Sequence, residues 1–216
     1  MSLSAQKTWI QVWDPLVRYG HWALVVAFAI AWLSAEEESE GPDQLHIWAG
    51  YAVGMIVAVR VLWGLVGTRH ARFSDFAYSP ATARTYLADM LRGRGRRYVG
   101  HSPAAAYMIA ALLLCLTAIV STGLVAYADG GQGPLASARG LVIAGAHAEE
   151  HEGRSERLGG RESGAGIVGG LHSALANITL GLVMLHILGV CVASVVHREN
   201  LVGAMFSGRK RSDDER

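Results

Sequence analysis

Charge is scarce in this 216-residue chain: 17% of residues are charged and 51% are hydrophobic, with a mean hydropathy of +0.27. That balance argues against a soluble domain and for an integral membrane protein. No excess of one sign accompanies the scarcity. Lys and Arg number 19 against 18 Asp and Glu, a net charge of +1, so a nucleic-acid partner would find no electrostatic hold. Cysteine is nearly missing. Cys115 and Cys191 both lie inside apolar runs and read as small buried hydrophobes rather than a disulfide or a metal pair. No internal repeat is evident.

What is present is long apolar sequence. Four runs are expected to span as helices, at about residues 16–34, 45–66, 104–128 and 165–196. A hydrocarbon core of about 30 Å needs about 20 apolar residues, and spanning backbone must satisfy its own hydrogen bonds. The first run holds Arg18 and His21, the second a single charge, Arg60, and the last two no Lys, Arg, Asp or Glu at all. AWLSAEEE offers a small-residue cleavage site after Ala35, but the preceding region is long and His21 opens the segment, so a retained helix is expected.

Basic residues set the orientation. The connection between the second and third runs carries Arg69, Arg72, Arg84, Arg92, Arg94, Arg96 and Arg97, and the tail adds Arg198, Arg209, Lys210 and Arg211. The first connection, AEEESEGPDQ, has none. The positive-inside rule then places both termini and the Arg-rich segment in the cytoplasm, where these arginines also meet anionic lipid. The Gly-rich stretch 129–164 becomes an outer loop. Within it, His147 and His151 stand at i and i+4 with Glu150 beside them, a spacing that on a helix can hold a metal; a solvated loop is the simpler expectation.

Of nine histidines, only His21, His46, His172 and His186 fall within the spans. The last two are fourteen residues apart, about 21 Å along a helix and within about 40° of one face. By depth, His46 matches His172 near the outer surface and His21 matches His186 near the inner one. A pair of stacked haems needs this arrangement, with two imidazoles for each iron. A hydrogen-bonded core role or a proton relay is the alternative for any one of them. Zinc is poorly served, since two nitrogens per level leave a tetrahedral ion half unsatisfied. Gly50, one turn beyond His46, either lets a flat ring approach the backbone or forms a GxxxG packing pair with Gly54. Arg60 either meets a haem propionate at the inner level or snorkels to the interface.

The segments VWDPLVRYGHW, LHIWAGY and LHSALANITLGLVMLHILGV, with GTRHARFSDF, GHSPAAA and HRENLVGAMFSGRKR, resemble the bacterial cytochrome b561 family, which includes the b-type cytochrome subunits of membrane-bound nickel–iron hydrogenases. The resemblance covers nearly the whole chain. It implies an all-α, single-domain integral membrane four-helix bundle in the bacterial cytoplasmic (inner) membrane, with two stacked b haems and both termini cytoplasmic. His21 and His186 match the inner-haem ligands, and His46 and His172 the outer ones. The implied function is electron transfer between the quinone pool and a redox partner, whether a hydrogenase, a dehydrogenase or a c-type cytochrome. The alternative is a stand-alone oxidoreductase that passes electrons from a small reductant such as superoxide to quinone. Arg18, Tyr19 and Trp22 around His21 would either line a quinone site or anchor the helix at the interface. Two imidazoles leave an iron no open position, which favours electron transfer over oxygen chemistry. Each ring should donate its other N–H to an acceptor, for which a carbonyl one turn back is the expected choice.

Overall fold

The computed structural model describes residues 9–35, 43–136 and 154–211, with the side chains of 154–165 and 211 left aside. His147, Glu150 and His151 lie outside the described residues.

Paired helix-start signals punctuate the chain. Asp14–Pro15, Ser79–Pro80 and Ser102–Pro103 each put a capping oxygen before a proline at the first helical position. The proline's missing N–H costs nothing there, and the cap accepts an N–H that would otherwise be orphaned. Helix α1 (Pro15–Leu33) thus opens with Asp14 accepting from Val17 N at 2.9 Å. Helix α2 is Gln44–Val66, α3 is Pro80–Leu91, and α4 is Pro103–Asp129. Helix α5 runs Arg154–Val196, and the short α6 spans Leu201–Ser207.

Among the described residues, four helices are long and apolar enough to cross a membrane: α1, α2, α4 and the Gly166–Val196 part of α5. Their outer surfaces are apolar, with Leu62 63%, Leu114 72%, Met184 61% and Leu188 58% exposed. A water-soluble bundle would bury such side chains; lipid receives them at no cost. Cys115 and Cys191 are both free thiols.

The helix ends match the sequence expectation to within a residue or two, except at α5. That helix begins at Arg154, inside the stretch expected to be loop. Beyond the lipid a helix needs no apolar face, and Arg154–Leu158 holds residues of fair helix propensity.

Packing runs α1 on α2, α2 on α4 and α4 on α5. The core between them is built from Ala27 of α1, Val53 and Val57 of α2, and Leu116 of α4. Helix α5 adds nothing to that cluster and does not pack closely on α1 or α2, so it faces them across a slot.

One end of the bundle carries two short strands and the segment between α2 and α4. There β1 (Trp9–Gln11) pairs antiparallel with β2 (Arg209–Arg211), so α6 is drawn against the start of α1. Asp14 also accepts from Trp63 Nε1 at 2.8 Å and Thr68 Oγ1 at 2.5 Å, tying α1 to the end of α2. Burial alone would raise the Asp14 pKa, but these hydrogen bonds, that from Val17 and the nearby Arg60 hold the carboxyl below its ordinary value. Helix α3, which the Arg-rich composition conceals, lays Ala83, Tyr86 and Met90 inward and packs on α4. Arg97 joins this layer to the C-terminal segment through a two-pronged pair with Glu199, at 2.9 and 3.2 Å.

Candidate functional site

The four intramembrane histidines meet in two pairs across the slot. His21 on α1 and His186 on α5 have ring centroids 6.4 Å apart with planes at 66°. His46 on α2 and His172 on α5 are 6.0 Å apart at 76°. The first pair lies toward the end that carries β1, β2 and the segment between α2 and α4, the second toward the opposite end. Both pairs join helices that do not otherwise pack closely, so the imidazoles bridge the opening itself.

The hydrogen bonds at the second pair fix which nitrogen is available. His46 Nδ1 donates to the carbonyl of Ala31 at 2.8 Å. His172 Nδ1 lies 3.1 Å from the carbonyl of Ile119 and 3.2 Å from Thr122 Oγ1. The Thr122 hydroxyl itself donates back to Ala118 O at 2.9 Å, leaving its oxygen free to accept. These partners put the proton on Nδ1 and leave Nε2 with its lone pair, the tautomer a metal ligand requires. The acceptors come from neighbouring helices, α1 for His46 and α4 for His172, rather than from one turn back. A helix's own carbonyls are already taken by its i+4 N–H groups. Among the described residues, neither His21 nor His186 has a hydrogen-bond partner for its ring.

A cavity of about 790 Å³ opens beside His46 and His172, within the range of about 300–1,000 Å³ typical of ligand pockets. Gly50 lines it, and a Cβ there would meet nothing within 4 Å. Gly54 behaves differently, since its Cβ would come within 3.0 Å of Val120 Cγ1 on α4. The two glycines therefore divide the roles that the sequence left open: Gly54 lets helices approach, and Gly50 faces the cavity. Arg60 donates to the carbonyl of Ala71 at 3.3 Å and lies over the Phe73 ring at 5.2 Å. Those contacts tie it to the segment after α2; none is to His21 or His186.

Three further residues belong to the site, and the sequence reading passed over them. Gly123 on α4 leaves room for the His172 ring, and Thr122 braces it. Thr179 is fully buried on α5, seven residues from each histidine and so on the same face, with its hydroxyl donating to Leu175 O at 2.8 Å. The midpoint position of Thr179 between His172 and His186 was the one signal that pointed to it; Gly123 lay unmarked in an aliphatic run.

The donor set decides what such pairs can hold. Among the described residues, no group of three or more His, Cys, Asp or Glu side chains gathers, so each level offers two nitrogens and no more. A metal–imidazole bond of about 2 Å, doubled and lengthened by the ~1 Å from each nitrogen to its ring centre, sets opposed ligands about 6 Å apart. Both pairs fit that spacing. A metal that brings its other four ligands in a flat macrocycle suits two facing imidazoles, an apolar slot and a glycine wall.

A family described as prokaryotic cytochrome b561 matches residues 12–208. A curated relative from Rhodobacter capsulatus, described as a probable Ni/Fe-hydrogenase B-type cytochrome subunit, is 26% identical over 240 residues, covering 98% of this chain and 85% of its own length. No solved structure matches the chain.

Proposed function

Because the chain belongs to the prokaryotic cytochrome b561 family, we propose that it carries electrons across the bacterial inner membrane through two b haems, linking a redox partner to the quinone pool. The observation that carries this reading is the facing of His21 with His186 and of His46 with His172. Positive-inside logic supports a cytoplasmic location for the end bearing β1, β2 and the Arg-rich segment, and with it for both termini. That makes His21 and His186 the inner pair and His46 and His172 the outer pair.

When bound, haem b supplies reversible one-electron chemistry at an iron that two imidazoles close to other ligands. The protein's part is to bind, orient and keep dry. At the outer level, Nε2 of His46 and of His172 would be the binding atom, and His21 and His186 would each offer one ring nitrogen at the inner level. The Ala31 and Ile119 carbonyls hold the His46 and His172 rings in one tautomer and one rotation. Gly50 and Gly123 keep the outer level open, so a planar group can sit against the α2 backbone while His172 stays seated. Between the two levels, Ala27, Val53, Val57, Leu116 and the enclosed Thr179 exclude water, which keeps the environment low in dielectric.

The hydrogenase association belongs to the relative by its printed description. For this chain a hydrogenase, a dehydrogenase and a c-type cytochrome are the candidate partners, with membrane lipid around it. The superoxide alternative draws less support, because no Lys or Arg stands among the described residues lining the outer cavity to concentrate a small anion.

The test is the purified protein in lipid vesicles mixed with a short-chain quinol. Rapid appearance of reduced b-type bands, reversed by added quinone, is expected. Haems that neither quinol nor quinone can turn over would contradict the quinone link, and preferential reduction by enzymatically generated superoxide would favour the alternative.

A further inference from the structure

A half-buried cation with no carboxylate partner among the described residues stands one turn from the inner histidine pair. Arg18 lies one helical turn before His21 on α1, and the C-terminal segment closes over it. Its Nη2 donates to the carbonyl of Phe206. Gly208, at φ +77° and without a side chain, leaves the space into which Arg18 Cδ and Nη1 fit; a Cβ there would meet both at 3.0 Å. Arg18 Nε is enclosed and has no hydrogen-bond partner.

One turn further along, Trp22 stacks on the Phe206 ring at 4.1 Å and 17°. Its Nε1 is enclosed and unpartnered too. Arg18 and Trp22 are i and i+4 and so share a face of α1, turned about 60–100° from His21. Among the described residues, no carboxylate pairs with Arg18. An enclosed donor without a partner is costly, and there are two here. The fold nonetheless encloses both donors, Arg18 Nε and Trp22 Nε1, within a turn of His21, while the rest of the guanidinium is half-exposed and lies over the Tyr19 ring at 5.6 Å.

The outer level is built otherwise. Among the described residues, its cavity is lined by Gln44, Tyr51, Tyr127, Gln132, Ser173 and Asn177 as polar groups, with no Lys or Arg. A haem brings two propionate carboxylates that need donors. The outer level offers neutral ones, and the inner level offers a guanidinium.

Resting on the two-haem reading above, we propose that Arg18, seconded by Trp22, is the counter-charge for the propionates of the haem held by His21 and His186, and sets that haem's potential above the outer one's. The iron is one charge more positive when ferric than when ferrous. A fixed cation close by therefore disfavours the ferric state and raises the reduction potential, more strongly where water is excluded. Electrons then run downhill from the outer haem to the inner one.

The experiment isolates each haem by removing a ligand to the other. Potentiometric titrations would follow Arg18→Gln, Arg18→Lys and Trp22→Phe in a His172→Ala background, which keeps the inner haem, and in a His186→Ala background, which keeps the outer. The expected result is a lower inner midpoint in Arg18→Gln, a smaller fall in Trp22→Phe, near-restoration in Arg18→Lys, and no change at the outer haem. Loss of the inner haem alone in Arg18→Gln, with Arg18→Lys retaining it, supports the proposal as well. Unchanged inner midpoints, equal shifts at both haems, or loss of both haems in both Arg18 variants would overturn it. So would an effect seen only in vesicles containing anionic lipid and absent in phosphatidylcholine, since the partner would then be a lipid phosphate. If neither His172→Ala nor His186→Ala removes a haem, the underlying two-haem reading fails; if each removes one and Arg18 has no effect, only the role of Arg18 fails.

Discussion

Gly123 of α4 stands against His172 of α5: a Cβ at position 123 would come within 3.0 Å of the imidazole Cε1 and 3.3 Å of Nδ1. The same ring atom, Nδ1, faces the Ile119 carbonyl and Thr122. Contact and hydrogen bond are therefore coupled, because a methyl that pushes the ring also pulls Nδ1 away from its acceptors.

Three glycine-to-alanine variants separate these roles. Gly123→Ala should lower occupancy of the outer haem or shift its spectrum, leaving the inner haem as it was. Gly54→Ala meets Val120 instead and should cost about 1–3 kcal/mol by overpacking, with both haem spectra kept. Gly50→Ala meets no protein atom within 4 Å and should leave thermal stability alone while perturbing the outer haem. Haem content and melting temperature in detergent, measured on all three, check the assignment. A Gly50→Ala protein with an unperturbed outer haem would count against a ring seated on that wall.

The Arg97–Glu199 pair is 18% and 9% exposed at its side chains and bolts the segment before α4 to the one after α5. Removing either partner leaves a charge largely buried, and breaking such a pair typically costs about 3–5 kcal/mol. Arg97→Met and Glu199→Met singly should each lower stability by several kcal/mol. The double variant should recover much of the loss, giving a large coupling in the double-mutant cycle. Additive losses would mean that the two side chains act through other contacts.

Acid should weaken the fold through His101. Its ring is packed between Trp13 at 4.6 Å and Phe76 at 4.4 Å. Burial, helped by the positive charges of Arg60, Lys210 and His70 and opposed by Asp75, pushes its pKa from 6.5 down to about 3. Between those two values the unfolded chain binds the proton and the folded one does not. Stability therefore falls as pH drops through that window, by at most about 1.4 kcal/mol per pH unit, and is unaffected by this group above it. His101→Phe keeps a ring in the slot and removes the titration. Its melting temperature should fall less steeply than the parent's between pH 6.5 and pH 4; parallel curves would contradict this.

Much of this was legible before any coordinates. Lipid makes apolar length a hard constraint, so the four long runs stand out, and the fourteen-residue spacing of His172 and His186 fixes them on one face. Depth alone paired His21 with His186 and His46 with His172. The imidazole acceptors were not legible, since the Ala31 and Ile119 carbonyls belong to other helices and backbone atoms leave no mark in a sequence. Helix α3 and the packing of α6 against α1 escaped because Arg-rich composition reads first as a topology signal, and they depend on Tyr86, Met90 and Phe206 finding partners far along the chain. For Arg60 the sequence left two roles open; the contacts to Ala71 and Phe73 lie on the interfacial side.

The most direct measurement of the central claim is haem stoichiometry by pyridine haemochrome, with reduced-minus-oxidised spectra, for the parent protein and the His21, His46, His172 and His186→Ala variants. Two b haems in the parent and one in each variant are predicted. The spectrum left by His21→Ala should match that left by His186→Ala, and the His46 and His172 variants should match each other. A colourless parent after expression with ample haem, or variants that keep both haems, would contradict the account and leave proton relay as the better explanation of these histidines.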